Sequence, residues 1–325
     1  MRIAVIGAGG TGGLYGGVLA RAGHDVHFLA RGPHLRAIQA RGLEVRSADF
    51  GTFAVVQAHA SDQPADLGLA SFVLLAVKTY DLGPALEAAG QVLAPDGHLL
   101  TLQNGLEAPD QAAQALGSER VLIGTTQLET TILEPGVIGH LSPGHLLSVA
   151  AFSGPPNPAV EHIAAVLQAA GIRATVAADG HRALWEKASL LIPIATMTSV
   201  CRASVGAIRD LPATLELADT IVAEVGAVAR AAGYDLPAAQ ERAGQMLRKV
   251  PPGWKASMAR DFERGGRTEL EAITGALVRM AETYDVAVPA CRAAYAILKL
   301  RARLETASDL PETAGERLGI GVAGG

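Results

Sequence analysis

The chain has 325 residues, a formal net charge of −5, 49% hydrophobic residues and only 18% charged ones, a length that fits two domains with separate cores. The mildly acidic balance leaves no basic surplus for a phosphate backbone, so nucleic acid is excluded as an expected partner. No apolar run reaches the ~18 residues that a membrane span needs; the candidate stretch 188–201 has 14.

In chain order, residues 2–6 read as a strand, 11–22 as a helix, 25–30 as a second strand and 33–40 as a second helix. A doubly apolar strand at 71–77, a helix at 81–93, a strand at 98–102 and a helix at 106–116 continue the alternation, which means a parallel sheet with helices on both faces. Residues 121–152 turn to extended segments around Glu134-Pro135-Gly136 that extend the sheet, followed by a helix at 158–169 and a strand at 172–177. Beyond that only helical periodicity remains, over 181–201, 212–232, 237–248, 254–264, 268–284 and 289–306, with a Gly-rich, disordered tail at 319–325. The expected fold is an α/β Rossmann-type doubly wound sheet, 1–178, followed by an all-α C-terminal domain, 179–325.

Gly7-Ala8-Gly9-Gly10-Thr11-Gly12 follows the first strand and opens a helix, the context in which G-x-G-x-x-G cradles a dinucleotide pyrophosphate. Gly7 permits the tight turn, Gly9 the close approach of the phosphates, and Gly12 close packing of helix on sheet. The second strand ends Phe28-Leu29-Ala30-Arg31, with no acid to hold a ribose 2′-hydroxyl. An Arg fork suits a 2′-phosphate instead, so the expected cofactor is NADP(H), with Gly7, Gly9, Gly10, Thr11, Gly12 and Arg31 as its contacts.

Composition sharpens the search. With 61 Ala and 22 Arg but 5 Lys and 2 Asn, a surviving Lys or Asn is poorly explained by compositional drift. Lys78 follows the strand at 71–77 and Asn104 the strand at 98–102, both at carboxyl ends where doubly wound sheets bind ligands. Asn104-Gly105 also has the composition of a type I′ turn. Lys187 precedes the uncharged stretch and sits at the edge of a low-dielectric region, where an ammonium becomes a usable proton donor and an Arg would not. Thr268 and Glu271 have capping-box spacing, which puts Glu269 in the first turn of a helix. His24, His27 and His34 cluster near the nucleotide turns, with surface positions expected. The nine His show no ligand spacing, so no metal is expected. Two cysteines, Cys201 and Cys291, form no disulfide framework, and the opening residues lack a signal-peptide pattern, which points to the cytoplasm.

Taken together, Gly7–Gly12, Arg31, Val77-Lys78, Gln103-Asn104-Gly105, Pro135-Gly136-Val137 with His140, Leu184-Trp185-Glu186-Lys187, Ser257 to Asp261 and Arg267-Thr268-Glu269 resemble the ketopantoate reductase (2-dehydropantoate 2-reductase) family. The resemblance implies NADPH-dependent reduction of a 2-oxo acid, ketopantoate, to D-pantoate for pantothenate biosynthesis, in a site between the two domains. It implies Lys187 as general acid, Glu269 as its catalytic partner, Lys78 and Asn104 as cofactor contacts, and Asn104 and Ser257 as substrate contacts. The chain departs from the family at Leu191, Ala195 and Trp254, where members carry Asn. Those losses predict a pocket for a less polar or bulkier 2-oxo acid or ketone. A related β-hydroxyacid or imine-type reductase and a non-catalytic NADPH-sensing protein are the alternatives. The helical half could support a homodimer.

Overall fold

A computed structural model describes residues 1–306; the tail expected at 319–325 lies outside the described residues. The chain divides into two compact units, Met1–Ala188 and the part from Ser189 onward.

The first unit runs β1 (Arg2–Ile6), α1 (Gly10–Arg21), β2 (Asp25–Leu29), α2 (Gly32–Arg41), β3 (Leu43–Ser47), β4 (Gly51–Val55), β5 (His59–Ser61), β6 (Ala70–Leu75), α3 (Leu82–Val92), β7 (Leu93–Thr101), α4 (Ala108–Leu116), β8 (Val121–Gln127), β9 (Thr130–Glu134), β10 (Val137–His140), β11 (Leu146–Ala151), α5 (Pro158–Ala169) and β12 (Ala174–Val176), and takes in the start of α6 (Gly180–Val200). Eight strands form one sheet in the order β12-β11-β8-β7-β6-β1-β2-β5. All neighbours in it are parallel except the antiparallel β8–β11 pair. The expectation for 121–152 was half right. β8 and β11 do extend this sheet, but β9 and β10 leave it and pair with β3 and β4 in a second, four-stranded sheet, order β4-β3-β10-β9.

The glycines of α1 explain that arrangement. A Cβ on Gly12 or Gly16 would run into Val5 and, for Gly16, into Phe28 at 2.5 Å, on the side of the large sheet. A Cβ on Gly13 or Gly17 would run into Ile138 at 2.7 Å or Val45 at 2.9 Å, on the side of the small sheet. Two glycine stripes, each spaced i, i+4, therefore let one helix sit close between two sheets. Leu14, Tyr15, Val18 and Leu19 are fully buried there, in one core with Phe28, Leu43, Val45 and Ile138. The other face of the large sheet is a separate core in which Ile6, Val73 and Leu75 meet Leu82, Ala89 and Val92 of α3.

The second unit has no strand among its described residues. It holds the rest of α6, α7 (Val205–Asp210), α8 (Pro212–Ala231), α9 (Pro237–Lys249), α10 (Ser257–Glu263), a π-helical turn at Glu271–Gly275, α11 (Ala276–Thr283) and α12 (Pro289–Thr306). The short α7 was not anticipated. The helix expected over 268–284 begins only at Glu271, through a bond from the Gly275 N–H to the Leu270 carbonyl, 2.9 Å. The capping box expected from Thr268 and Glu271 is not at this helix start; the Glu271 carboxylate instead receives Tyr295 Oη, 2.8 Å, and Arg279. Glu224 of α8, only 7% exposed, accepts from the first amides of α12, Ala290 N and Cys291 N, each at 2.8 Å. Among the described residues no helix is long and apolar enough to cross a membrane.

Candidate functional site

The strand order reverses between β1 and β6, so their carboxyl ends diverge into separate connections and leave a crevice where open α/β sheets take ligands. Gly7 follows β1 and Lys78 follows β6 by three residues. The strand ends are stitched together by Ala76 N donating to Ile6 O at 2.9 Å and Leu102 N to Leu75 O at 3.0 Å.

Directly after β1, Gly7 adopts φ 97°, and a Cβ there would meet the Val77 backbone nitrogen at 2.8 Å. Gly9 caps α1 in an extended conformation (φ −71°), and a Cβ on it would meet nothing within 4 Å. The turn thus presents an open, side-chain-free face to the first amides of α1, and α1 has no acid in its first turn to oppose an anion. These features fit a dinucleotide pyrophosphate. Gly10 and Thr11 face Thr130 at the start of β9: a Cβ on Gly10 would lie 2.7 Å from Thr130 Oγ1, and Thr11 Oγ1 lies 3.4 Å from it. Thr130 escaped the sequence reading because nothing local ties residue 130 to residue 10.

Arg31 is exposed at the N-cap of α2, directly beyond β2. His34, one turn on, is half-buried, not the surface residue expected. Its Nε2 is 2.8 Å from the Ala8 carbonyl oxygen, and its Nδ1 accepts from Gly136 N at 3.0 Å. Burial lowers its pKa, so the ring is neutral near pH 7.

Lys78 and Asn104 are both half-buried at carboxyl ends, as expected. Lys78 opens a 3₁₀ turn, Thr79–Asp81, closed by Asp81 N donating to its carbonyl at 2.9 Å. Gln103, 5% exposed, donates through Nε2 to Leu75 O at 2.9 Å and Val77 O at 3.2 Å, so it pins the strand end that carries Lys78. Gly105 has φ 91° but Asn104 does not share that region, so Asn104-Gly105 is not the type I′ turn its composition suggested.

The start of α6 is seated on the first unit. A Cβ on Gly180 would meet Ile123 at 2.8 Å, and the His181 ring packs edge-on to Phe152 at 5.1 Å. Leu184 and Trp185 are buried and Lys187 is half-buried on the next turn. The uncharged stretch that follows is buried over most of its length, as expected.

In the second unit Glu269 is 4% exposed and precedes the helix instead of lying in it; its carbonyl accepts from Ala272 N at 3.1 Å and Ile273 N at 3.0 Å. Five residues on, Thr274 is fully buried, with its hydroxyl 2.8 Å from that of Thr196 on α6. Ser257 is exposed at the first position of α10. Ala195 is fully buried, Leu191 and Trp254 half-buried. No group of three or more His, Cys, Asp or Glu is placed to hold a metal among the described residues.

Two family models match the chain: Ketopantoate reductase PanE/ApbA over residues 3–151, and Ketopantoate reductase PanE/ApbA C terminal over residues 179–302. A 2-dehydropantoate 2-reductase of Halobacterium salinarum is 33% identical over 306 residues, covering 93% of this chain and 99% of that protein. A solved PanE/ApbA family ketopantoate reductase from Ralstonia eutropha JMP134 superposes with a TM-score of 0.87 at 30% identity, over 94% of this chain and 100% of that one. A D-mandelate dehydrogenase solved with NADH and anilino(oxo)acetate shares the fold, with a TM-score of 0.86 at 20% identity over 94% of this chain and 100% of that one.

Proposed function

The chain belongs to the ketopantoate reductase family, oxidoreductases acting on CH–OH, and on that premise we propose that it uses NADPH to reduce a 2-oxo acid to a 2-hydroxy acid. The observation that carries this reading is the open glycine turn at the switch point, with Lys78 and Asn104 at the neighbouring strand ends. Arg31 at the mouth of α2, with no carboxylate at the end of β2, supports NADPH over NADH. When bound, the cofactor would supply the hydride.

The residues have the following proposed tasks. Gly7, Gly9, Gly10, Thr11 and Gly12 hold the pyrophosphate on backbone amides, and Arg31 pairs with the 2′-phosphate. Lys78 and Asn104 contact the nicotinamide half, and Asn104 and Ser257 the substrate. As the 2-oxo carbon is reduced, negative charge gathers on its oxygen; the Lys187 ammonium stabilises that charge and donates the proton. Glu269, a buried carboxylate, orients the reacting groups. The two free cysteines fit the reducing cytoplasm as its location.

Ketopantoate is the first substrate to test, since the Halobacterium relative is named for it. A bulkier, less polar 2-oxo acid is the second, supported by Leu191, Ala195 and Trp254 where family members carry amides. The test is NADPH oxidation over a panel of 2-oxo acids, with Lys187→Ala beside the wild type. Turnover on at least one 2-oxo acid, lost in Lys187→Ala while NADPH still binds, is expected. NADPH binding without oxidation across the panel would revive the sensor reading.

A further inference from the structure

His34 lies outside every role assigned above, yet it touches both walls of the nucleotide turn. Its two ring nitrogens meet partners of opposite kind. Gly136 N–H can only donate, so Nδ1 must carry the lone pair; the Ala8 carbonyl can only accept, so Nε2 must carry the proton. One neutral tautomer satisfies both at once, and burial disfavours the charged ring that would not.

The Ala8 bond has a geometric consequence. The peptides here are trans, so the C=O of Ala8 and the N–H of Gly9 point in opposite directions across one rigid plane. Drawing the Ala8 oxygen onto His34 turns the Gly9 amide away from α2. Gly7 N and Ala8 N are already committed to Leu29 O, each at 3.3 Å, which fixes the plane before it. The Gly136 bond works on the other wall. It ties α2 to the β9–β10 turn, reinforced by Arg41 Nη2 donating to Pro135 O at 2.6 Å, and β9 begins with the Thr130 that faces Gly10.

We propose that His34 is a positioning residue for nucleotide binding: it sets the direction of the Gly9 amide toward the pyrophosphate and holds the β9–β10 hairpin against the start of α1. The inference rests on the proposed nucleotide site. The pyrophosphate is common to NADPH and NADH, so loss of His34 should weaken both by the same factor. A lesion that merely loosened α2 would act through Arg31 and weaken NADPH alone.

The experiment measures dissociation constants of NADPH and NADH, and steady-state kinetics, for wild type, His34→Ala and His34→Gln. Gln places a neutral N–H donor within reach of the Ala8 oxygen and so serves as the conservative rescue. In His34→Ala both dissociation constants should rise by about tenfold, the scale of one or two lost neutral hydrogen bonds. KM for the nucleotide should rise by the same factor while kcat changes far less, and His34→Gln should recover most of the loss. Unchanged binding in His34→Ala, a loss confined to NADPH, or a His34→Gln protein as weak as His34→Ala would overturn the proposal. If His34→Ala does not fold, His34→Gln alone decides, since binding within threefold of wild type is expected of it and a loss of about tenfold would refute the role. Should the wild type bind neither nucleotide, the proposed function fails first, which is a distinct result.

Discussion

Gly9 and Gly12 belong to the same turn, but the structure asks opposite things of them. At Gly12 a Cβ would stand 2.1 Å from the Gly7 carbonyl oxygen and 3.0 Å from both Ala76 and Val5. No flexible side chain can yield the first of those contacts, so Gly12→Ala forces α1 off the sheet and should cost about 1–3 kcal/mol or more, as overpacking does. At Gly9 the backbone is extended, and a Cβ meets nothing within 4 Å. Gly9→Ala should therefore fold normally and even gain about 0.4–1 kcal/mol through a less flexible unfolded chain. The open space at Gly9 is where a pyrophosphate would lie. A methyl group there should weaken NADPH by the same overpacking scale, roughly five- to 150-fold. Thermal melts with and without NADPH separate the two. Ligand at a hundred times its dissociation constant stabilises by about 2.7 kcal/mol; at that ligand concentration Gly9→Ala should melt at or slightly above the wild-type temperature alone and lose from about a third to about nine-tenths of that ligand stabilisation. Wild-type NADPH affinity in Gly9→Ala would refute the placement of the pyrophosphate.

Lys187→Ala should lower turnover by about 10²–10⁴-fold with NADPH affinity kept, and Lys187→Arg should not restore it, because a guanidinium does not release its proton; near-normal rates in either variant would remove Lys187 from proton transfer. Arg31→Ala should weaken NADPH by roughly ten- to hundredfold and leave NADH unchanged, the signature of a lost charge-assisted contact, read by titration of each nucleotide. Glu224→Ala strips two buried amides of their acceptor and should destabilise by about 3–5 kcal/mol, seen in denaturant unfolding, with Glu224→Gln between the two. The Asp49 carboxyl is held below the usual carboxylate range by its hydrogen bond from His145 and then by the Gly144 amide. Its stabilisation is present above pH of about 4 and is lost as the pH falls through the depressed value; an acid-unfolding profile unchanged by Asp49→Asn would contradict this.

The strand–turn–helix at Gly7–Gly12, the strand-end positions of Lys78 and Asn104 and the buried run of α6 were legible because each is a local pattern with a local cause. The second sheet was not. β3 reads Leu43-Glu44-Val45-Arg46-Ser47, alternating as a half-buried strand should, but its inner face is completed by Ile138, more than ninety positions along. His34 follows the same rule. On α2 alone it looks like a polar residue on an outer face, and both its partners, the Ala8 carbonyl and the Gly136 amide, come from segments far away in sequence. The Glu269 region failed for another reason. A capping-box spacing predicts an ordinary α start, whereas the chain enters its helix through a π turn that side-chain spacing does not announce.

The apolar substitutions at Leu191 and Ala195 raise the question of whether other polar groups of α6 could take over the work of the missing amides. Two of the described hydroxyls nearby are committed elsewhere. Thr196 is paired with Thr274, and Thr198 donates back to the Ile194 carbonyl at 2.7 Å. Ser199 is 1% exposed, and its hydroxyl is sealed from solvent without a hydrogen-bond partner, while its carbonyl is taken by Arg301 at 3.0 Å. Recruiting Thr196 for a substrate would leave the buried Thr274 hydroxyl unsatisfied, a cost of about 1–3 kcal/mol that offsets a hydrogen bond's gain. Of these three hydroxyls only that of Ser199 is uncommitted, so taking over an amide's work with Thr196 or Thr198 would break a bond already made. On the proposed reading, reaction type and substrate preference rest on different residues: the first on the glycine turn, Lys78, Asn104, Lys187 and Glu269, the second on Leu191, Ala195 and Trp254.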